Sequence, residues 1–342
     1  MTDSAAAPAI EADDLGKRYE AGGVDALQGV SFAVAPGEIF GFLGRNGAGK
    51  STTVRILATL LRPTSGSARV LGKDVVAEPA AVRSVLGVAL QEAALDELMT
   101  GREHLVLAAR LTGMSKRAAA ERAAELLELF GLQGAADRIA ARYSGGMRRR
   151  LDVAMALVRR PPVLFLDEPT TGLDPQSRRA LWELIRDLRA EGATVFLTTQ
   201  YLAEADDLSD RVAVVHAGRI SAVGRPDELK EQYGTTTVRL RASGGQLAVE
   251  QVRDATGLDP VPVGPDGWMV LTVPGGEGQV PEVVGRLTAS GPPIDRLVTQ
   301  PSSLEDVFVA LTGAEIESGA GGGDDGALAA VRRGIGVTAG AR

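Results

Sequence analysis

The sequence predicts an α/β fold: a mostly parallel sheet core, an N-terminal antiparallel β subdomain, a helical subdomain, and a small C-terminal α+β domain. Three observations predict it. The apolar run Ile39, Phe40, Phe42 and Leu43 closes on glycines and leads into helical spacing over Ser51 to Leu61, at Val54, Leu57, Leu60 and Leu61. Two more apolar runs, 163–166 and 194–198, flank an amphipathic segment from Ser177 to Ala190, the pattern of a βαβ unit. Between them, residues 92–160 are rich in Ala, Leu and Arg with a 3.6-residue period, as at Ala120, Ala123, Ala124, Leu127 and Phe130.

The remaining elements follow in chain order. Residues 8–40 alternate apolar and polar positions around Gly22-Gly23 and Pro36-Gly37, which reads as a strand-rich entry subdomain. Arg211 to Val215 and Ile220 to Val223, joined by His216-Ala217-Gly218-Arg219, read as a hairpin closing the first domain. Near Tyr233 the pattern changes, and segments 236–241, 247–256, 268–273, 280–289 and 294–299 alternate strand and helix signals, for which a ferredoxin-like plan is expected. The expected boundaries are a flexible N-terminus 1–9, a nucleotide-binding domain 10–232 with its helical subdomain at about 92–160, an accessory domain 233–313 and a disordered Gly-rich tail 314–342. No internal repeat is evident.

Composition bounds the function. The chain of 342 residues is 44% hydrophobic and 24% charged, as in ordinary globular proteins, and it has no uncharged apolar run of about 18 residues. Any membrane role therefore needs a partner chain. The start MTDSAAAPAIEADD lacks a positive leader and an apolar signal core, so a cytoplasmic location is expected. With no cysteine and only His104 and His216, thiolate chemistry and Cys- or His-built metal sites are disfavoured. The net charge of −7 gives no basic face for nucleic acid, and the run Arg148-Arg149-Arg150 reads as a solvated helix start.

Chemistry concentrates in a few stretches. Gly44-Arg45-Asn46-Gly47-Ala48-Gly49-Lys50-Ser51 fits G-x-x-x-x-G-K-[ST] between a strand and a helix, with Thr52 following. Such a loop curls its N–H groups around phosphates; Lys50 pairs with the outer phosphates and Ser51 can ligate Mg2+. Residues 162–169, PVLFLDEP, carry an apolar strand into paired carboxylates. Asp167 can hold Mg2+, directly or through water, while Glu168 is placed to polarise or deprotonate the attacking water. Tyr143-Ser144-Gly145-Gly146-Met147 opens a helix expected at 148–159, either presenting N–H groups to an anion or simply capping the helix through Ser144.

Together these stretches resemble the ATP-binding-cassette ATPases from about Leu15 to Gly224. The resemblance implies ATP and Mg2+ as ligands, with Ser144, Gly145 and Gly146 acting on phosphates held by the opposite subunit of a homodimer. It also implies nucleotide contacts from Gln91, which touches the metal as well, from Asp174 in the stretch Thr171 to Asp174, and from Tyr19, which stacks on adenine. The weaker alternatives are a solvated turn residue for Gln91 and a packing residue of the entry subdomain for Tyr19. Tyr143 stands where leucine is usual, Met147 where glutamine is usual, and Gln200 where the family has its switch histidine. These departures, with 302–313 (SSLEDVFVALTG), resemble the daunorubicin-resistance-type ATP-binding subunits of drug exporters, over roughly 15–313. The resemblance implies a peripheral ATPase on the cytoplasmic face of the membrane, powering a separately encoded permease, with Glu168, Gln200 and Lys50 as catalytic residues. The rival readings are a soluble cassette ATPase of translation or DNA maintenance, and an ATP sensor of low turnover. The first usually carries two cassettes or a long coiled coil, and retention of both Asp167 and Glu168 argues against the second.

Overall fold

The structure is a computed structural model that describes residues 7–20, 22–91, 95–242, 246–263, 267–274 and 277–313. The expected tail 314–342 and most of the expected N-terminal segment lie outside the described residues. The chain divides into two compact units, one of 1–200 with 204–223 and one of 201–203 with 224–342.

In the first unit the chain runs β1 (Ile10–Tyr19), β2 (Val24–Val34), β3 (Ile39–Gly44), α1 (Lys50–Leu57), β4 (Ser65–Val70), β5 (Lys73–Asp74), α2 (Pro79–Arg83) and β6 (Leu86–Ala89). It continues through α3 (Gly101–Leu111), α4 (Lys116–Leu129), α5 (Gly145–Ala156), β7 (Val163–Asp167), α6 (Pro175–Ala190), β8 (Thr194–Thr199), α7 (Leu202–Leu208), β9 (Arg211–His216) and β10 (Arg219–Gly224). Strands β2-β1-β4-β5 form an antiparallel entry sheet, and β10-β9-β3-β8-β7-β6 form a six-stranded sheet whose β9, β3, β8, β7 and β6 pair in parallel. Its strands β3, β7 and β8 are buried throughout, as a parallel sheet covered on both faces requires.

Phenylalanines join the two sheets. Phe32 of β2 stacks on Phe40 at 5.6 Å between ring centroids, and Phe42, Phe196 and Phe165 extend the cluster at 5.4 to 5.8 Å. A second core gathers apolar faces of the helical segment, α5 and α6, including Leu105, Leu126, Leu151 and Leu181, against the other sheet face. Between β9 and β10 the two turn residues Ala217 and Gly218 both take positive φ, 46° and 75°, the backbone of a tight hairpin turn.

Three helix boundaries differ from the sequence reading. Helix α1 stops at Leu57 and not Leu61: Thr59 turns to φ 63°, and Leu60 is left 58% exposed. Helix α6 begins at Pro175 because Asp174 caps it and proline suits the first helical position. Helix α5 begins at Gly145, three residues earlier than expected, because the Ser144 hydroxyl accepts from the Met147 N–H and holds both glycines inside the first turn.

The second unit contains α8 (Pro226–Tyr233), β11 (Thr235–Ala242), α9 (Gln246–Thr256), β12 (Val261–Val263), β13 (Trp268–Pro274), α10 (Val280–Ser290), β14 (Ile294–Gln300) and α11 (Leu304–Thr312). Strand order β12-β13-β11-β14, antiparallel throughout, with α9 and α10 as crossovers, is the split βαβ arrangement of ferredoxin-like folds. The sequence reading missed β12, only three residues long and holding Pro262. Val238, Leu240, Met269 and Leu271 form its core with Val252 and Leu287 from the helices.

Candidate functional site

Parallel pairing brings the C-terminal ends of three strands level. Leu43 of β3 pairs with Thr199 of β8, and Asp167 of β7 pairs with Thr198, so the loop after Gly44, the carboxylates after Leu166 and Gln200 all leave the sheet at one edge. Open α/β sheets bind ligands at this edge.

The loop closes on α1. Gly49 takes φ 102°, and a Cβ there would lie 2.5 Å from the Ala26 carbonyl, so only glycine fits. Arg45, Asn46 and Gly47 are exposed, while Ala48, Gly49 and Lys50 are buried; Ser51 and Thr52 are half-buried. Lys50 Nζ donates to the carbonyls of Gly44 and Arg45 at 3.0 and 3.2 Å and pairs with Glu168 Oε1 at 3.0 Å, both side chains being 4% exposed. Ser51 Oγ donates to Asp167 Oδ1 at 3.2 Å. Gln91 Nε2 donates to Glu168 Oε2 at 3.4 Å, which also accepts from Thr171 Oγ1 at 3.2 Å. The expected core of the site, Lys50, Ser51, Gln91, Asp167 and Glu168, is therefore one connected cluster.

Glu168 has φ 48°, a left-handed conformation that is unusual for a residue with a side chain. Its N–H is received by both the carbonyl and the hydroxyl of Thr198, at 3.1 and 3.0 Å, and the same hydroxyl donates to Asp167 Oδ1 at 2.5 Å. Thr198 was invisible to sequence reasoning except as a strand residue.

Other expected residues stand further out. Tyr19 is half-buried at the end of β1, its hydroxyl 3.4 Å from Thr52 Oγ1 and Lys17 Nζ lying 5.6 Å from the ring centroid. Asp174 caps α6, accepting from the N–H groups of Gln176 and Ser177 and from Ser177 Oγ; the Ser177 hydroxyl leads the contacts that hold its carboxyl below the usual range. Ser144 and Gly145 are exposed, whereas Gly146 is buried, where a Cβ would lie 2.7 Å from Ser177 Oγ. Gln200 is half-buried just beyond β8.

One expectation is corrected. The arginine run is not a solvated helix start, because Arg149 is only 7% exposed and Arg150 donates to the Phe130 carbonyl at 2.9 Å. Arg149 Nε donates to the Pro169 carbonyl at 3.0 Å and Nη2 to the Asp167 carbonyl at 2.7 Å, while Nη1 donates to the Leu90 carbonyl and to Asp152 Oδ2 at 2.9 Å. Burial pushes the Asp152 carboxyl up to about 6 against the pull of Arg149, and lowers Arg149 from its usual value. The available signal was the spacing Gly146, Arg149, Asp152, which repeats every three residues along one helix face.

Two departures from the family pattern have structural reasons. Tyr143 is 3% exposed, donates its hydroxyl to the Ala135 carbonyl at 2.8 Å and lies under Arg138, so it packs the helical segment as leucine would while adding a polar tether. Met147 packs against the same core. His104 is structural: it is buried, with Nε2 accepting from the Asp96 N–H and Nδ1 lying 2.8 Å from the Thr100 carbonyl. Trp182 is half-buried and donates Nε1 to buried Glu204 at 3.0 Å.

A phosphate loop at the C-terminal edge of the sheet, paired carboxylates two strands away across β8 and a serine-capped glycine turn define a nucleotide hydrolase of the cassette type. Comparison with known proteins agrees: residues 27–171 match the ABC transporter family and residues 224–312 match the C-terminal domain of DrrA1-3-like ATP-binding proteins. The daunorubicin/doxorubicin resistance ATP-binding protein DrrA of Streptomyces peucetius is 53% identical over 72% of this chain and 74% of its own length. The doxorubicin resistance ATP-binding protein DrrA of Mycobacterium tuberculosis is 43% identical over 91% of this chain and 95% of its own. A solved ATP-binding cassette, captured as a dimer in a post-hydrolysis state with ADP and Pi, is 26% identical with a TM-score of 0.59 over 63% of this chain and 98% of its own. The chain belongs to the ABC transporter family, as an ATP-binding and ATP-hydrolysing subunit. Among the described residues no helix is long and apolar enough to cross a membrane.

Proposed function

We propose that this chain hydrolyses MgATP as a head-to-tail homodimer on the cytoplasmic face of the membrane and so drives export of a drug or antibiotic-type compound through a separately encoded permease. The observation that carries the chemistry is the buried meeting of Lys50, Ser51, Asp167 and Glu168 at one sheet edge. The names of the relatives above support the export reading, and the solved dimer supports the paired arrangement.

ATP binds along the loop 44–52, its adenine stacked on the face of Tyr19 that Lys17 leaves open. Lys50 exchanges its pairing with Glu168 for the outer phosphates, which frees the carboxylate to take a proton from the attacking water. The donors suit magnesium: Ser51 and Asp167 offer hard oxygens and Gln91 an amide oxygen, and no group of three or more His, Cys, Asp or Glu side chains converges among the described residues. Ser51, Asp167 and Gln91 would hold the ion, and the bound ion would neutralise charge on the phosphates. Gln200 donates its amide N–H to a phosphate oxygen and accepts from the water, without taking a proton at any pH. Ser144, Gly145 and Gly146 close on the phosphates of the opposite subunit, with Asp174 beside that junction.

Glu168→Gln tests the reading. The variant keeps the side-chain shape and loses the basic carboxylate, so ATP still binds, turnover drops by roughly 10²–10⁴-fold and the ATP-bound dimer persists in sedimentation. Unchanged hydrolysis together with an unchanged monomer fraction would refute the assignment.

A further inference from the structure

Arg149 has no part in the chemistry just given, yet its guanidinium is among the most connected groups in the first unit. It sits on the second turn of α5, the helix that opens at Ser144. From there it donates to the carbonyls of Asp167 and Pro169, which are the residues on either side of Glu168. It also donates to the carbonyl of Leu90, the residue before Gln91. Gln91 in turn reaches the Glu168 carboxylate. One buried cation therefore ties a helix to the ends of two strands, and the residue it brackets has the left-handed backbone noted above.

We infer that Arg149 is a positioning residue: it fixes the backbone that aims Glu168 and Gln91 and links that backbone to the helix beginning at Ser144. The inference rests on the proposed role of Glu168 and goes beyond it. A lysine could not substitute, since its three donors radiate from one nitrogen, whereas the contacts of Arg149 leave from Nε, Nη1 and Nη2 of a planar fork with five donors. Asp152, one turn further along the same face, orients the fork through Nη1. Stability alone does not account for the pair, because taking two charges out of water offsets most of their attraction and apolar residues of similar volume commonly serve as well. Apolar residues cannot hold three carbonyls.

The test is steady-state ATP hydrolysis by the full-length subunit, with folding followed by Tm and by binding of a fluorescent ATP analogue. Arg149→Lys should lower kcat by about tenfold or more while KM for ATP changes by no more than about twofold, because the phosphate loop is untouched. Placed beside Glu168→Gln, Arg149→Lys should add little further loss, since the carboxylate that it aims has already gone. Asp152→Asn keeps the volume and leaves Arg149 present, so it should lower kcat less, again without a matching change in KM. A lowered Tm with unchanged kcat in the folded fraction of Arg149→Lys overturns the inference, as does an equally large further loss beside Glu168→Gln. Should Arg149→Lys fail to fold, an unchanged kcat in Asp152→Asn overturns it. Normal turnover in Glu168→Gln alone refutes the assignment of Glu168, whatever Arg149 does.

Discussion

The two ends of the proposed nucleotide site are built in opposite ways. At the phosphate loop, Lys50 and Glu168 are nearly inaccessible and every functional side chain is tied to another: Lys50 to Glu168, Ser51 to Asp167, Gln91 to Glu168. At the start of α5, Ser144 and Gly145 lie on the surface, and the serine hydroxyl is tied to the Met147 N–H of its own first turn. The first end is completed within one chain, because buried charges must be paired where they are. The second is displayed, which costs nothing in water and suits a surface that meets a partner. Substitutions at the buried end should therefore damage one subunit, and those at the exposed end only the pair.

Among substitutions that contrast the two ends, the largest effect is expected from Lys50→Ala. It removes the cation for the phosphates and leaves Glu168 buried without its partner, so kcat/KM should fall by roughly 10²–10³-fold and ATP affinity should weaken in the isolated subunit. Equilibrium binding of a fluorescent ATP analogue checks this, and wild-type affinity would break the contrast at its strong end. Next, Ser144→Arg should leave nucleotide binding by the monomer intact while reducing ATP-driven dimerisation and hydrolysis by about tenfold or more. Loss of the helix cap costs about 1 kcal/mol, small enough for the chain to stay folded. Tight ATP-dependent dimers of this variant in sedimentation would remove the reason to treat the two ends differently.

Gln200→Ala should lower turnover by roughly tenfold, about 1.4 kcal/mol of transition-state stabilisation, and Gln200→His should retain or raise it. Equal rates for wild type and Gln200→Ala, with and without the permease, would make Gln200 a bystander. The last effect concerns Asp152 and is on stability, with the least on turnover. Its carboxyl is raised to about 6 in the fold from an ordinary value near 3.8, so its contribution to stability is fully present below pH 3.8 and is lost as pH rises through about 6. Wild type should therefore lose stability relative to Asp152→Asn across that window, by about 1–3 kcal/mol, and paired thermal melts between pH 4 and 7 measure it. A difference independent of pH would mean that Asp152 is ionised throughout.

Much of this was legible because it is local. The phosphate loop announces itself through glycines that only one backbone shape requires, and the strands 163–166 and 194–198 through unbroken apolar runs. Helix starts were less legible: Ser144 and Asp174 were each seen, but capping draws the residues after them into the helix, so α5 and α6 begin earlier than their apolar spacing suggests. Leu60 satisfied the periodicity and still ended up exposed, because the turn at Thr59 ended the helix first.

Arg149 marks the boundary between the two kinds of knowledge. By itself the sequence determined the fold class, the family, and the identity of the loop and carboxylates, since each depends on residues close together in the chain. It could not separate Arg149 from its neighbours Arg148 and Arg150, for three successive arginines look alike until the helix assigns each a direction. Tertiary structure decided that one points inward, because carbonyls brought from residues 90, 167 and 169 meet only where α5 packs across the ends of β6 and β7. It likewise decided that Thr198 receives the Glu168 N–H, because β7 and β8 pair in that register and not one residue away. Charge and hydrogen-bonding capacity belong to the residue, but the partner that uses them is chosen by the packing.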